Sequence, residues 1–316
     1  MRLFLCLLCT SVACAQTPAV EVRDPILETL IDPGAEVRQV AEGLSFTEGP
    51  LWSPRNTLLF SDIPANRVYE LDPQGGEPEV FVEPSRNSNG LAYDADGRLL
   101  LCEHDGRVVS RRRADGTREV LADRWRGQRF NSPNDLVLHP TGAIFFTDPP
   151  WGLKKTDDDP AKELPFNGVF RLDPDGSVTL VDSTLHRPNG IAVSPDGRRL
   201  YVGESNRDRE VFWMSYPLDE AGRAGRGERL YTADVSAEAG SADGLKVDER
   251  GNVWATGPGG VWVISPDGAP LGVVRFPELP ANCAWGGPDG RTLYVTARRG
   301  VYTIETRVKG WLPPTR

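Results

Sequence analysis

The chain has 316 residues, of which 39% are hydrophobic and 26% charged, and its formal net charge is −9 at pH 7. This acidic balance argues against a nucleic acid as partner, because nucleic-acid-binding proteins present a basic surface. The length would allow two domains, although closed all-β architectures of this size commonly form one domain.

The first residues, MRLFLCLLCTSVACAQ, have the pattern of a secretory signal peptide. One basic residue precedes an apolar stretch, and the small residues Ala13 and Ala15 flank Cys14. We expect cleavage after Ala15, which would remove residues 1–15 and place the protein in the periplasm or outside the cell. Lipid attachment at Cys14 is the lesser alternative. The stretch is too short for a membrane span, which needs about 20 apolar residues.

Cleavage after Ala15 would leave two of the five cysteines, Cys102 and Cys283. It would also leave 35 basic against 45 acidic residues. Two cysteines in separate parts of the chain provide no disulfide framework, so we expect both thiols to be unpaired. Residues 16–35 form an N-terminal extension whose course the sequence does not predict.

A short motif then recurs at intervals of roughly 40 to 55 residues, which is typical of propeller blades. The six copies are EGPLW at Glu48, NGLAY at Asn89, NDLVL at Asn134, NGIAV at Asn189, DGLKV at Asp243 and NCAWG at Asn282. Each copy runs into a turn, such as HPTG at His139, behind which a second strand pattern such as AIFFT returns. The repeats predict an all-β fold, a six-bladed β-propeller. A β-sandwich is the alternative, but nothing in that fold requires each unit to begin with the same pair, a polar residue followed by glycine.

The sixth repeat runs short of strands after Tyr302. The alternating segment EVRQVA at 36–41 is predicted to supply its outermost strand, which would close the ring and remove an exposed edge. Residues 36–316 are therefore predicted to form a single propeller domain. The polar stretch GLKKTDDDPAKELPF at 152–166 is predicted to be a surface loop over one end of repeat three, and would act as a lid if it lies near a pocket mouth.

Because the first strand of each blade lines the channel of a propeller, the residues that begin the six motifs should form a ring at one end. Its predicted members are Glu48, Asn89, Asn134, Asn189, Asp243 and Asn282. A role in a turn would explain one Asn-Gly pair, but burying six such groups together is costly unless a partner satisfies them. Two carboxylates in an all-oxygen set fit Ca²⁺, with Mg²⁺ or Mn²⁺ as alternatives.

Zn²⁺ is a less suitable substitute, because none of the three histidines belongs to the ring. His139 and His186 are interpreted as turn or surface residues. His104, at the end of the second strand of repeat two, is the histidine that would reach the mouth of the ring. We count it with Asn89 and Asn134 among the candidate substrate-binding residues.

Four longer motifs, FTEGPLW, RFNSPNDLVLHPTGAIFFTDPPWG, RPNGIAVSPDGRRLYVGES and ADGLKVDERGNVWATGPGGVWV, resemble those of the SMP-30/gluconolactonase/luciferin-regenerating-enzyme family, and of its bacterial gluconolactonase branch in particular. The resemblance covers nearly the whole mature chain. It implies a six-bladed propeller in which a catalytic divalent metal, usually calcium, supports the hydrolysis of sugar lactones. The metal ligands that it implies are Glu48, Asn134, Asn189 and Asp243.

The resemblance also implies that the metal polarises the lactone carbonyl while Asp243 activates the attacking water. A direct attack by Asp243 through an acyl intermediate stays open. The family's substrate-contacting arginine falls on Arg129 or on Arg126, because two extra residues, SP, shift this loop. The chain has no GxSxG motif, and its few histidines argue against Ser-His-Asp catalysis.

Two further functions remain as alternatives. The same metal site would serve an arylesterase or an organophosphate hydrolase, since pocket walls rather than metal ligands would select the substrate. A non-enzymatic propeller that binds a protein or a glycan is the other alternative, and the presence of both ring acids, Glu48 and Asp243, counts against it. The expected partner is thus a small sugar lactone. The sequence does not predict the oligomeric state.

Overall fold

The structure is a computed structural model that describes residues 19–206, 210–234 and 238–312. The predicted signal peptide, residues 1–15 with Cys14, lies outside the described residues. Within them, no helix has the length and the apolar character to cross a membrane. Apart from two short 3₁₀ helices, the regular structure that is described consists of β-strands.

The N-terminal segment contributes strands to two different blades. It comprises β1 (Val20–Val22), a 3₁₀ helix (Pro25–Thr29) and β2 (Arg38–Ala41). The first strand, β1, lies at the outer edge of the fifth blade, where Val20 pairs with Val274. The part of the chain whose course the sequence left open therefore adds a fifth strand to that sheet.

Each of the first four blades is an antiparallel sheet of four consecutive strands. The first comprises β3 (Thr47–Trp52), β4 (Leu58–Asp62), β5 (Arg67–Leu71) and β6 (Glu79–Val82). The second comprises β7 (Ser88–Tyr93), β8 (Leu99–Glu103), β9 (Val108–Arg112) and β10 (Arg118–Ala122).

A small hairpin of β11 (Arg124–Trp125) and β12 (Gln128–Arg129) follows the second blade. The third blade comprises β13 (Leu136–Leu138), β14 (Ile144–Asp148), β15 (Gly168–Leu172) and β16 (Val178–Asp182). The fourth comprises β17 (Pro188–Val193), β18 (Arg199–Glu204), β19 (Val211–Pro217) and β20 (Glu228–Ala233).

The last two blades include the N-terminal strands. The fifth comprises β21 (Leu245–Val247), β22 (Val253–Gly257), β23 (Gly260–Ile264) and β24 (Pro270–Val274), with β1 at its edge. The sixth comprises β25 (Pro280–Gly286), β26 (Thr292–Ala297) and β27 (Gly300–Glu305), with β2 as its outermost strand. Arg38 in β2 lies opposite Thr303 in β27. The six-bladed propeller and its closure by an N-terminal strand are both confirmed.

Large apolar side chains fill the space between neighbouring blades. Trp254 of the fifth blade meets Trp285 of the sixth edge to face, with ring centroids 5.3 Å apart, and both side chains are fully buried. Burying a large apolar side chain contributes about 1.5 to 3 kcal/mol, so such contacts hold the sheets in their radial arrangement. Cys102 and Cys283 are buried free thiols, and the prediction that they are unpaired is confirmed.

Candidate active site

The six motif residues meet at the start of the innermost strands, and we call this group the ring. Three carboxamides form one side of it. The Nδ2 of Asn89 donates to Asn134 Oδ1 at 2.6 Å, and the Nδ2 of Asn134 donates to Asn189 Oδ1 at 2.6 Å. Asn189 is in turn hydrogen-bonded to the Asp243 carboxyl. Four blades are thereby linked in sequence through their first strands.

Glu48 and Asn282 complete the ring from the first and sixth blades. The Nδ2 of Asn282 donates to Glu48 Oε2 at 3.0 Å, and the carboxyl groups of Glu48 and Asp243 are hydrogen-bonded to each other. The Oδ1 of Asn282 accepts the backbone N–H of Cys283 at 2.8 Å, which turns the amide NH₂ toward Glu48. The predicted convergence of the six residues is therefore present in the structure.

The glycine that follows a ring residue allows the next blade to approach closely. A Cβ on Gly190 would lie 2.2 Å from the carbonyl oxygen of Asp243, and a Cβ on Gly244 would lie 1.9 Å from the carboxamide carbon of Asn282. Neither glycine has a positive φ. The Gly190 N–H donates to the Asp243 carbonyl oxygen at 3.0 Å. At these two positions close packing, and not a left-handed turn, explains the Asn-Gly and Asp-Gly pairs.

Hydroxyl groups on the second strands of some blades donate hydrogen bonds to backbone carbonyl groups of ring residues. The Oγ of Ser61 donates to the carbonyl oxygen of Asn89 at 2.8 Å, and Thr147 Oγ1 donates to the carbonyl oxygen of Asn189 at 2.7 Å. Each bond joins one blade to the ring residue of the next. The ring side chains are therefore presented by a backbone that is fixed on both sides.

The two ring acids are held in contact in a buried environment. Burial raises the pKa of Glu48 to about 7. Burial, with repulsion from Glu48, also raises the pKa of Asp243 well above its usual range. Asp243 keeps partial contact with solvent, whereas Glu48 is only 2% exposed. Asp243 is therefore the ring acid that a molecule arriving from solvent can reach.

The donor set of the ring fits a hard divalent cation. Two adjacent carboxylates repel one another when both are ionised, and a cation with oxygen ligands relieves that repulsion. The Oδ1 of Asn89 is buried without a hydrogen-bond partner. Among the described residues, no group of three or more His, Cys, Asp or Glu side chains is arranged to hold a metal ion. A cation in the ring would therefore depend on the carboxamides of Asn134 and Asn189 as well as on the two acids.

His104 lies beside the ring, on the side of the second blade. Its Nε2 is 3.2 Å from Asn134 Oδ1, which can only accept, so this nitrogen carries the proton. Burial lowers the pKa of His104 to about 4, and the imidazole is neutral at pH 7. The structure thus places a neutral N–H donor next to one of the candidate metal ligands.

The two candidate arginines lie near the β11–β12 hairpin. The Nη2 of Arg129 donates to the Gly106 carbonyl oxygen at 2.9 Å, and its backbone N–H donates to Glu163 Oε2 at 2.7 Å. The guanidinium of Arg126 stacks on Trp125, 4.5 Å from the ring centroid. Across the described parts of the chain, neither guanidinium is hydrogen-bonded to a side chain of the ring.

The 152–166 loop joins β14 to β15 on the side of the ring and reaches blades on both sides of its own. Arg107 of the second blade donates to the Ala161 carbonyl oxygen at 2.9 Å, and Asp157 forms an ion pair with Arg187, beside the fourth blade. At its start, Gly152 packs so tightly on His104 that a Cβ would lie 2.8 Å from that of the histidine. The loop covers one end of repeat three, as predicted, and several of its charges are paired.

Sequence reasoning missed an ion pair that lies just inside the ring. Asp135 occupies the position where four of the motifs have glycine, and its Oδ2 is 3.8 Å from the Nζ of Lys246 in β21. Two signals in the sequence could have revealed it. The third motif reads NDLVL instead of NGL, and DGLKV contains a lysine within a strand that is otherwise apolar.

Beyond this pair the channel becomes apolar. A cavity of about 280 Å³ is lined by the far halves of the six innermost strands and by Trp311 and Leu312. Lys246 is the one charged residue of its lining. We call this space the apolar cavity, and it lies at the end of the channel away from the ring.

Known proteins are similar to this chain in sequence and in architecture. Residues 46–299 match the family described as the SMP-30/Gluconolactonase/LRE-like region. A gluconolactonase from Zymomonas mobilis is 36% identical over 90% of this chain and 85% of its own length. A solved gluconolactonase from Xanthomonas campestris is 30% identical, with a TM-score of 0.81 over 92% of this chain and 95% of that one. A diisopropyl-fluorophosphatase from Loligo vulgaris is 25% identical over 86% of this chain and 90% of its own. The chain belongs to the SMP-30/gluconolactonase/LRE-like family.

Proposed function

We propose that the protein hydrolyses a sugar lactone with the help of a divalent cation, Ca²⁺ in the first place, held by Glu48, Asn134, Asn189 and Asp243. The observation that carries this proposal is the direct contact of two carboxyl groups, that of the buried Glu48 and that of the partly buried Asp243, within a ring of carboxamides. Family membership and the names of the relatives supply the class of reaction, the hydrolysis of a lactone. Mg²⁺ or Mn²⁺ would fit the same oxygen donors, and Zn²⁺ would fit them less well.

Asp243 is proposed as the general base. A cation bound in the ring would supply a Lewis acid for the lactone carbonyl, a contribution of several kcal/mol. It would also keep both carboxyl groups ionised, which is the state in which Asp243 can accept a proton from water. General-base catalysis contributes about 10²- to 10⁴-fold. Asn282 holds Glu48 in place through the Nδ2–Oε2 hydrogen bond.

Asn89, Asn134, His104 and Arg129 are proposed to contact the substrate. His104 lies against Asn134 and offers a neutral ring, which suits an uncharged polyhydroxylated lactone better than an imidazolium would. Arg129 would need to exchange its bond to the Gly106 carbonyl for one to the substrate. Export of the mature protein, inferred from residues 1–15, is likewise a proposal.

Hydrolysis of an organophosphate or an aryl ester is the second candidate function. The similarity to the diisopropyl-fluorophosphatase from Loligo vulgaris supports this second function. The two relatives named as gluconolactonases are more similar to this chain, at 36% and 30% identity, and lactone hydrolysis is therefore the first choice. A non-enzymatic propeller is not kept as an alternative, because the relatives are named as lactone hydrolases and the ring holds both acids.

A panel of substrates would test this proposal. Residues 16–316 would be assayed by pH-stat on several aldonolactones, and in parallel on an aryl acetate and a phosphotriester. Each assay would be run with Ca²⁺, with EDTA, and with Ca²⁺ restored. We expect an aldonolactone to be the preferred substrate and its hydrolysis to be lost in EDTA and recovered afterwards. Faster cleavage of the phosphotriester would favour the second function, and lactone hydrolysis that EDTA does not change would refute the metal site.

A further inference from the structure

Asp135 places a third carboxyl group in the channel, directly inside the ring. Its side chain is 3% exposed, and its Oδ1 accepts the Leu136 N–H at 2.9 Å. The Oδ2 has no hydrogen-bond partner within the described residues. A buried carboxylate with one unbonded oxygen is costly unless a countercharge faces it.

Lys246 supplies that charge from across the channel. Its Nζ lies 3.8 Å from Asp135 Oδ2, 3.4 Å from Asn282 Oδ1 and 3.1 Å from the Leu245 carbonyl oxygen. It is the one cationic partner of Asp135 among the ion pairs of the described residues. Its side chain also lines the apolar cavity, whose other lining residues are uncharged and could not replace it.

Asp135 directly follows the ring residue Asn134, so its charge lies beside the ring. The Lys246 ammonium that faces it also lies 3.4 Å from the Oδ1 of Asn282, whose Nδ2 donates to Glu48. Three ionised carboxylates in one channel would carry more negative charge than one divalent cation can balance. With the ammonium of Lys246 included, two negative charges remain.

We propose that Lys246 is a positioning residue that neutralises Asp135 and thereby matches the charge of the ring to a single divalent cation. The inference rests on the cation site of the proposed function. In this arrangement the lysine lowers the affinity for cations in general, and lowers it most for cations of higher charge. Its removal should therefore tighten cation binding and change the preference between divalent and trivalent ions.

Binding of the metal ions alone tests this. The dissociation constants of Ca²⁺ and Tb³⁺ would be measured by calorimetry and by terbium luminescence for wild type, Lys246→Met and Lys246→Arg. Since Coulomb energy scales with the charge of the ion, Lys246→Met should tighten Ca²⁺ binding by about tenfold and Tb³⁺ binding by more. Lys246→Arg keeps the charge and should stay close to wild type. Lys309→Met, at an exposed lysine, is the matched control.

A second pair of variants separates charge from packing. Asp135→Asn in the Lys246→Met background removes both charges, and it should return the ratio of the Tb³⁺ and Ca²⁺ affinities to the wild-type value. In EDTA, Lys246→Met should lower the melting temperature and the double variant should recover much of the loss. If Lys246→Met does not fold and the double variant does, that result would support the inference as well.

The outcomes distinguish the inference from the function on which it rests. If Lys246→Met binds both ions as wild type does, or binds them more weakly, the charge-matching role is wrong while the metal site stands. If wild type binds neither ion, both proposals fail. A loss of stability that is equal with and without metal, at unchanged affinities, would show a packing role only.

Discussion

The two ends of the channel are built from the same six strands and yet have opposite character. At the ring end, Glu48 lies near the start of β3 and Asp243 just before β21, and their carboxyl groups are hydrogen-bonded to each other. A few residues further along the same strands, Leu51 and Val247 line the apolar cavity. The position of a residue along its strand, and not the strand to which it belongs, therefore decides whether it contributes to the ring or to the apolar cavity. The Asp135–Lys246 pair marks the boundary.

The largest effect expected from this comparison is on activity. Asp243→Asn should keep the fold, because the carboxamide can still bond its neighbours. It should lower kcat/KM by about 10³-fold or more, because it removes the proposed general base and the negative charge of one proposed metal ligand. Val247→Ala, four residues further along at the apolar end, should cost about 2 kcal/mol of stability and leave turnover unchanged. Lactone hydrolysis by pH-stat and melting curves would check both variants. Wild-type turnover in Asp243→Asn would refute the assignment of the base.

The second effect is on metal affinity within the ring itself. Glu48→Gln should weaken Ca²⁺ binding by roughly 10- to 100-fold, because it removes a charged ligand. Asn89→Ala should weaken it less, since Asn89 donates its Nδ2 to Asn134 and is outside the proposed ligand set. Titration calorimetry on both variants would measure the difference. Equal losses would contradict the proposed division of the ring into ligands and supports.

The third effect is a pH-dependent coupling between metal binding and the free energy of unfolding. Without metal, the pKa of Glu48 is raised from its usual 4.5 to about 7, so the folded chain holds the proton more tightly than the unfolded chain does. The resulting stabilisation is complete below about pH 4.5 and is lost as the pH rises through 7. The calcium ion of the proposed function would bind the ionised form and should contribute about 2.7 kcal/mol at a hundred times its dissociation constant.

The difference between the melting temperatures with Ca²⁺ and with EDTA should therefore be small at pH 5 and reach several degrees at pH 8. Scanning calorimetry at the two values would measure it, with Asp243→Ala as the control in which the difference shrinks. A difference that is the same at both pH values would argue against the carboxyl pair as the metal site.

The smallest effect concerns the glycines behind the ring. Gly190→Ala would bring a Cβ to 2.2 Å from the Asp243 carbonyl oxygen. It should cost about 1 to 3 kcal/mol and reduce activity because Asp243 is displaced. Ala192→Gly, on the same strand at the apolar end, should lower stability by up to about 1 kcal/mol without changing kcat. Loss of activity in both variants would show that the two ends are not independent.

Repetition in the sequence was sufficient to predict the blades, the closing strand and the ring. Equivalent positions in a propeller lie at equivalent heights, so the six motif residues had to converge wherever the fold placed them. The reason for the glycines could not be predicted in this way, because it depends on how closely neighbouring blades approach. Contacts across the channel, such as that of Asp135 with Lys246, depend on the directions in which the side chains point, and a sequence repeat does not determine these directions. The three residues of β1 are too few for a strand pattern to be recognised.

The closing of the propeller also determines when the ring can form during synthesis. The sixth blade combines β2 with β25 to β27, which leave the ribosome more than two hundred residues later. The hydrogen bond between Glu48 and Asn282 joins the same two ends of the chain. Pairings so distant in sequence form slowly, since the intervening chain must be ordered first. A nascent chain that has not yet reached Pro280 would thus carry five blades and an open ring, in which Glu48 lacks its Asn282 partner.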